Sequence, residues 1–279
     1  MPGIHVVTDS ASDLPPELLR AHGVVVVPLD VRLGDLPADE VRAYSAEQFW
    51  EAVASTSAIA ETSAPSPGAF RVAFLEAAAA GADGVVCVTI SSRLSATYQA
   101  AVAGAGDVTS RIPVEVVDSR SVTLAEGFLV LEAAEHAERG ESLAQVAAAV
   151  RSRVEKLKVL GALDTLDTLR RGGRIGSAQA FFGSLLSIKP IVELRDGVVE
   201  GESRQRTRTR SLRYLADAAA AAGPLARLAV AHAAAADIDD FLEMLRGARP
   251  DDDVLVAHLG PVIGAHTGPG TVGLCMERS

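Results

Sequence analysis

Four segments carry the side chains that could do chemistry, and each lies where an apolar run ends or a helix begins. Thr8-Asp9-Ser10-Ala11-Ser12-Asp13 follows an apolar strand. Its two acids could hold a cation, but acids there more often cap the next helix and complement its dipole, and that structural reading is favoured. Thr62-Ser63-Ala64-Pro65-Ser66 offers hydroxyls and backbone N–H groups to an anion, a pattern that helix-capping loops share. Ser91-Ser92-Arg93-Leu94-Ser95 leads into a helix whose N-terminal dipole favours negative charge. Gly260–Gly270 holds four glycines in eleven residues and predicts an irregular backbone with His266 in its midst. A histidine in such a loop is a candidate ligand contact.

Several chemistries are absent from the sequence. There is no Walker loop, no GxGxxG, no HExxH and no CxxC, and the six histidines lack ligand spacing, so neither a metal nor any other cofactor is expected. There is no GxSxG elbow, although Ser95, His266 and Asp118 could form a hydrolase or acyltransferase triad. The net charge of −10 argues against non-specific nucleic-acid binding and against adhesion to anionic membranes. No apolar run reaches the roughly 18 residues of a spanning helix. The N-terminus lacks a basic region followed by an apolar core, so a cytoplasmic location is expected. Cys87 and Cys275 sit in apolar runs and read as buried thiols.

The elements that must position these residues follow from the apolar pattern. Ile4–Thr8, Val24–Leu33, Gly84–Ile90 and Val114–Val117 are continuous apolar runs that predict buried strands. Helices are predicted between them, over Ala46–Thr56, Gly68–Ala80 and Thr123–Glu138 among others, with Ser45 and Gln48 forming a capping box. This alternation predicts an α/β fold whose N-terminal domain is a parallel sheet covered on both faces. Further on, Asp196-Gly197 between Pro190–Leu194 and Val198–Ser203 is a hairpin signal, so the C-terminal α/β domain should carry a mixed sheet. The border is expected near Leu157–Gly161, dividing the chain into 1–158 and 159–279.

Six motifs, in order, resemble those of the DegV family: VTDSASDLP (7–15), TSAPSPGAF (62–70), ISSRLSATY (90–98), VVDSRS (116–121), LDTLRRGGRI (166–175) and IGAHTGPGTVG (263–273). They span nearly the whole chain. Two departures are visible: Ala64 stands where the family usually has glutamine, and Ala96 where it usually has glycine. The resemblance implies a two-domain α/β protein that buries a long-chain fatty acid. Hydroxyls matching Thr62 and Ser95 would hold the carboxylate, with Ser63, Ser92 and His266 as neighbours. It also implies a separate ATP-dependent kinase partner that forms an acyl phosphate on the bound acid.

Two further groups bear on that expectation. Phe181, Phe182, Leu185 and Leu186 in AFFGSLLSI are a candidate tunnel wall, although helix core explains them equally by periodicity. Arg170, Arg171 and Arg174, with Arg204, Arg206, Arg208 and Arg210, are dense basic groups in an acidic chain. They suit either a solvated helix start or a docking surface for a kinase. Hydroxyls and helix amides alone are expected at the head group, since a tight arginine clamp would oppose release of the product. Two other functions fit some of these residues: the Ser95–His266 hydrolase, and a binder of a small phosphorylated or hydroxylated metabolite.

Overall fold

The structure, a computed structural model, describes residues 3–56, 60–182 and 188–279. The chain opens with strand β1 (Ile4–Asp9), helix α1 (Pro16–Ala21) and strand β2 (Val25–Val27). Pro16 occupies the first turn of α1, where its missing N–H is no loss. Strand β3 (Asp30–Leu33) follows separately and belongs to another sheet. The single strand expected over Val24–Leu33 is therefore two, because Pro28 has no N–H to continue a ladder.

Next come α2 (Ala38–Ala43), α3 (Ala46–Ser55), β4 (Ala60–Ser63), α4 (Pro67–Ala79), β5 (Gly84–Thr89) and α5 (Thr97–Gly106). The capping box on α3 is present: Gln48 N donates to Ser45 Oγ at 3.2 Å, and Ser45 N donates to Gln48 Oε1 at 2.8 Å. They are followed by β6 (Val114–Asp118), α6 (Thr123–Glu138), α7 (Leu143–Arg153), β7 (Leu157–Ala162), α8 (Asp167–Arg171) and α9 (Ala178–Phe182). The last elements are β8 (Lys189–Arg195), β9 (Val198–Gln205), α10 (Arg208–Ala220), β10 (Leu225–His232), α11 (Ile238–Ala248), β11 (Val254–His258), α12 (Pro261–Thr267) and β12 (Val272–Arg278).

Packing divides the chain into two units. One comprises the residues up to Asp30 together with Ser63–Lys156; the other comprises Val31–Thr62 together with Leu157–Ser279. The expected division into 1–158 and 159–279 therefore needs a correction: Val31–Thr62 packs with the C-terminal part. Trp50 on α3 gives the reason. Its indole N–H donates to the carbonyl of Leu259 at 2.9 Å, and its ring lies so close to Gly264 that a Cβ there would come within 2.5 Å. Nothing local in α3 names so distant a partner.

The first unit is a parallel sheet in the order β2-β1-β5-β6. Every residue of β5 is buried, as expected for a strand covered on both faces. Phe70, Phe74 and Ala77 of α4 and Ala100 and Ala101 of α5 pack on Val7, Val85 and Cys87. Helices α6 and α7 also pack on this sheet, and α6 is buried along most of its length.

The second unit is a mixed sheet in the order β11-β10-β12-β7-β8-β9. Strands β10 and β11 run parallel; the other pairs are antiparallel. The expected hairpin turns at Asp196 (φ 49°) and Gly197 (φ 79°), two left-handed residues in a row. Helices α10 and α11 cover the sheet through Leu212, Leu215, Phe241 and Leu245, which meet Leu160, Val230 and Leu274. Strand β12 lies between β10 and β7, and six of its residues are buried. The sequence shows it only as an apolar run around Cys275. Cys87 and Cys275 are both buried thiols.

Candidate functional site

In the second unit, Thr62 and His266 meet. Thr62 lies in β4, which pairs with β3, and His266 lies in the last turn of α12. The irregular loop expected over Gly260–Gly270 is instead a helix bracketed by glycines. Pro261 starts it and Gly268, at φ 79°, ends it. Thr62 Oγ1 and His266 Nε2 are 2.8 Å apart. The other ring nitrogen, Nδ1, is buried without a hydrogen-bond partner and lies against Gly172, where a Cβ would come within 2.4 Å of it. Burial, and secondarily the charge of Arg174, push the His266 pKa down to about 4, so the imidazole is neutral at neutral pH.

This pair lines a cavity of about 420 Å³, shared with Glu61, Thr168, Arg171 and Arg174. Arg174 also donates to the carbonyl of Gly172 at 2.6 Å. The cluster Arg170, Arg171 and Arg174 thus splits. Arg171 and Arg174 line the cavity, while Arg170 is exposed and paired with Asp167 at 2.9 Å. The expectation of a cavity without formal positive charge is corrected: Arg171 and Arg174 are among its lining residues, and the charge of Arg174 is felt at His266. The sequence hides this, because the turn at Gly172-Gly173 redirects the chain between Arg171 and Arg174.

In the first unit, the loop after β5 is held by its neighbours. Asp9, the last residue of β1, accepts from Ile90 N at 2.8 Å and from Ala11 N at 2.9 Å. Asp118, the last residue of β6, accepts from Ser92 N at 3.0 Å and from Ser92 Oγ at 2.5 Å. Ser95 Oγ lies 2.8 Å from Thr97 Oγ1. The acids of the first motif do not cap α1, whose end carries no side-chain cap; Asp9 serves the neighbouring loop instead. Within the first unit Asp118 engages Ser92 and Ser95 engages Thr97, while in the second His266 engages Thr62. Ser63 is exposed at the end of β4.

Among the tunnel candidates, Phe181 is 38 % exposed. It packs onto Gly201 of β9 beneath Arg204, whose guanidinium is 4.7 Å from the ring centroid. The side chain of Phe182, and Leu185 and Leu186 altogether, lie outside the described residues. Arg206, like Arg204, is exposed. Arg208 instead forms a bidentate pair with Asp237 at 2.8 and 2.9 Å. Among the described residues, no group of three or more His, Cys, Asp or Glu could hold a metal, and no helix is long and apolar enough to cross a membrane.

Sequence reading missed Gly172 and the buried acid Glu126 on α6. Glu126 had a signal: it is an acid inside a helix apolar on nearly every side. Gly172 had none beyond its place in the Gly172-Gly173 turn.

Comparison with known proteins supplies the context. A DegV domain-containing protein of Streptomyces coelicolor is 39% identical over 278 residues, covering 98% of each chain. The solved structure of a DegV family protein from Thermus thermophilus, described as fatty-acid binding, has a TM-score of 0.86 at 34% identity and covers 99% of this chain and 100% of its own. That of DegV from Bacillus subtilis, described as a fatty acid binding protein, has a TM-score of 0.88 at 31% identity and 99% coverage of both. The family model described as "Uncharacterised protein, DegV family" matches residues 3–279, and the chain belongs to the DegV family.

Proposed function

We propose that this protein binds a long-chain fatty acid non-covalently, with Thr62 and His266 receiving the carboxylate, and that it presents this group to a separate ATP-dependent kinase for acyl-phosphate formation. The observation that carries the reading is the Thr62–His266 pair, 2.8 Å apart at a cavity bordered by Arg171 and Arg174. His266 Nδ1 has no acceptor within reach. The single hydrogen of the neutral ring therefore belongs on Nε2, which donates to Thr62 Oγ1. The Thr62 hydroxyl hydrogen is then left for an anion, and the positive charge of Arg174 nearby adds attraction.

The physics of such a ligand fits. Burying a sixteen-carbon tail contributes roughly 10 kcal/mol of gross transfer energy. Ordering and association consume part of it. The carboxylate cannot be buried without donors. The sequence carries neither a Walker loop nor a GxGxxG, which fits a reading in which a second protein binds the ATP. The family resemblance assigns Ser95 to the head group as well.

The test is native mass spectrometry of the freshly purified protein, followed by organic extraction of whatever is bound. A stoichiometric fatty acid supports the reading and reports the chain length. A ligand-free mass that stays unshifted after incubation with palmitate and oleate refutes it.

A further inference from the structure

The Ser91–Ser95 loop is tethered at three successive amides where it begins. Ile90 N donates to Asp9, Ser91 N to the carbonyl of Ser121 at 2.9 Å, and Ser92 N to Asp118. Ser95 N in turn donates to the carbonyl of Ser91 at 3.2 Å. The position of the Ser95 hydroxyl is thus set by the tethers before it. Of these, Asp9 is the only fully buried carboxyl group, and both its oxygens are used by backbone amides.

Behind Asp9 stands Glu126, also fully buried. Glu126 Oε1 lies 3.4 Å from Thr8 Oγ1, and the carboxyl group hydrogen-bonds Asp9. Two fully buried carboxyl groups side by side are a liability for stability, so their presence calls for a role other than packing. Two carboxyl groups in contact in a dry site do not both ionise. Glu126 holds its proton, pushed well above the usual carboxylate range by burial and then by Asp9. Asp9 carries the charge that the two amides need, although burial lifts its pKa to about 6. The other titratable groups facing the pair are Asp13 after β1, Asp118 at the end of β6 and Cys87 on β5.

We propose that Asp9, backed by Glu126, is the positioning residue of the hydroxyl loop, and that taking up a proton at Asp9 loosens the loop and weakens retention of an anionic head group. When a solvent proton adds to Asp9, the carboxyl keeps one good acceptor and presents an O–H towards the second amide. One of the tethers at Ile90 and Ala11 is lost. The proposal rests on the reading of Ser95 as a head-group contact.

The test uses the delipidated full-length protein, with cis-parinaric acid as a fluorescent carboxylate probe and hexadecanol as a tail-only competitor, from pH 5.5 to 8. In Asp9→Asn, affinity for the acid should fall at least fivefold at pH 7.5, with hexadecanol affinity changed less than twofold. Glu126→Gln, which keeps a donor to Asp9, should retain most of the affinity that Glu126→Leu loses, and Glu126→Leu should move the pH midpoint upward. Amide NMR shifts of Ile90 and Ser95 in the ligand-free wild type should titrate together near pH 6. A wild-type acid affinity and pH profile in both Asp9→Asn and Glu126→Leu, or loop amides that do not titrate, overturn the proposal. Should Asp9→Asn fail to fold, Glu126→Leu and the amide titration decide alone. A wild type that binds no acid while its loop amides still titrate with Asp9 sinks the fatty-acid reading and leaves the tether itself standing.

Discussion

The imidazole of His266 and the hydroxyl of Thr62 lie 2.8 Å apart although 204 residues separate them in the chain. One comes from a helix end and the other from a two-stranded ribbon, and both open onto one cavity. Loss of either partner leaves the other half-buried without this hydrogen bond. Thr62→Ala and His266→Ala should each weaken fatty-acid binding by about 1–3 kcal/mol, the cost of one lost hydrogen bond to a charged group. Fluorescent fatty-acid titration checks this. Unchanged affinity in both would mean that the head group lies elsewhere.

The same pair depends on a position with no functional group. A Cβ at Gly172 would sit 2.4 Å from His266 Nδ1 and 3.0 Å from Cε1. Gly172 has φ −72°, so alanine meets no backbone strain there. Gly172→Ala should therefore fold normally, tilt the imidazole off Thr62 and reduce fatty-acid affinity about as much as His266→Ala. Wild-type affinity in a folded Gly172→Ala variant would show that the ring has room to spare.

Glu126 predicts a pH dependence of stability. Its folded pKa is raised above the unfolded value, first by burial and then by Asp9. The stability linked to it is complete below the unfolded pKa and is lost as pH rises. Glu126→Gln cannot ionise and escapes that loss. The melting temperature of the variant relative to wild type should rise by about 3–6 °C between pH 5 and pH 8, corresponding to one or two kcal/mol. A constant difference across that range would mean that Glu126 is already ionised in the fold.

His266 works in the opposite direction. Its folded pKa is depressed to about 4 by burial and by Arg174. Its contribution is complete above the unfolded histidine pKa near 6.5 and is lost as pH falls towards 4. His266→Gln should flatten the fall in melting temperature between pH 6.5 and 4.5. A fall of wild-type steepness would assign acid lability to other groups.

Exposed arginines supply the test of a kinase partner. Arg204 lies over Phe181 on edge strand β9, and Arg206 follows it. Arg204→Glu with Arg206→Glu should spare lipid binding and slow phosphorylation of the bound acid by a purified fatty-acid kinase subunit at least tenfold. Equal loss of both activities would place these residues in lipid binding instead.

Much of the fold is legible in the sequence because it is locally encoded. The apolar runs at Ile4–Asp9 and Gly84–Thr89, the Ser45–Gln48 capping box and the Asp196-Gly197 turn each carry their own signal. What is not legible is non-local. Trp50 finds Leu259 across 209 residues of sequence, and Gly264 beyond it, and this moves Val31–Thr62 into the second unit. The site divides the same way. Thr62, Ser92, Ser95 and His266 stand out as hydroxyls or histidine in marked motifs, whereas Gly172 matters only because a distant ring leans on it. Asp9 was visible as an acid, but its partners Ile90 and Glu126 lie on other elements.

Strand β12 comes last in chain order among the described strands and yet lies between β10 and β7. A ribosome delivers the first unit's segments, up to Lys156, before any strand of the large sheet has emerged. That sheet then waits for Val272–Arg278, with β7 and β10 each offering an unpaired edge to whatever strand is nearby. The stretch Val31–Thr62, made early, has no completed surface to dock on until then. Synthesis therefore passes through a vulnerable interval that closes with one strand. A nascent chain halted before Val272 should be a ready client for chaperones, with its first half already resistant to proteolysis.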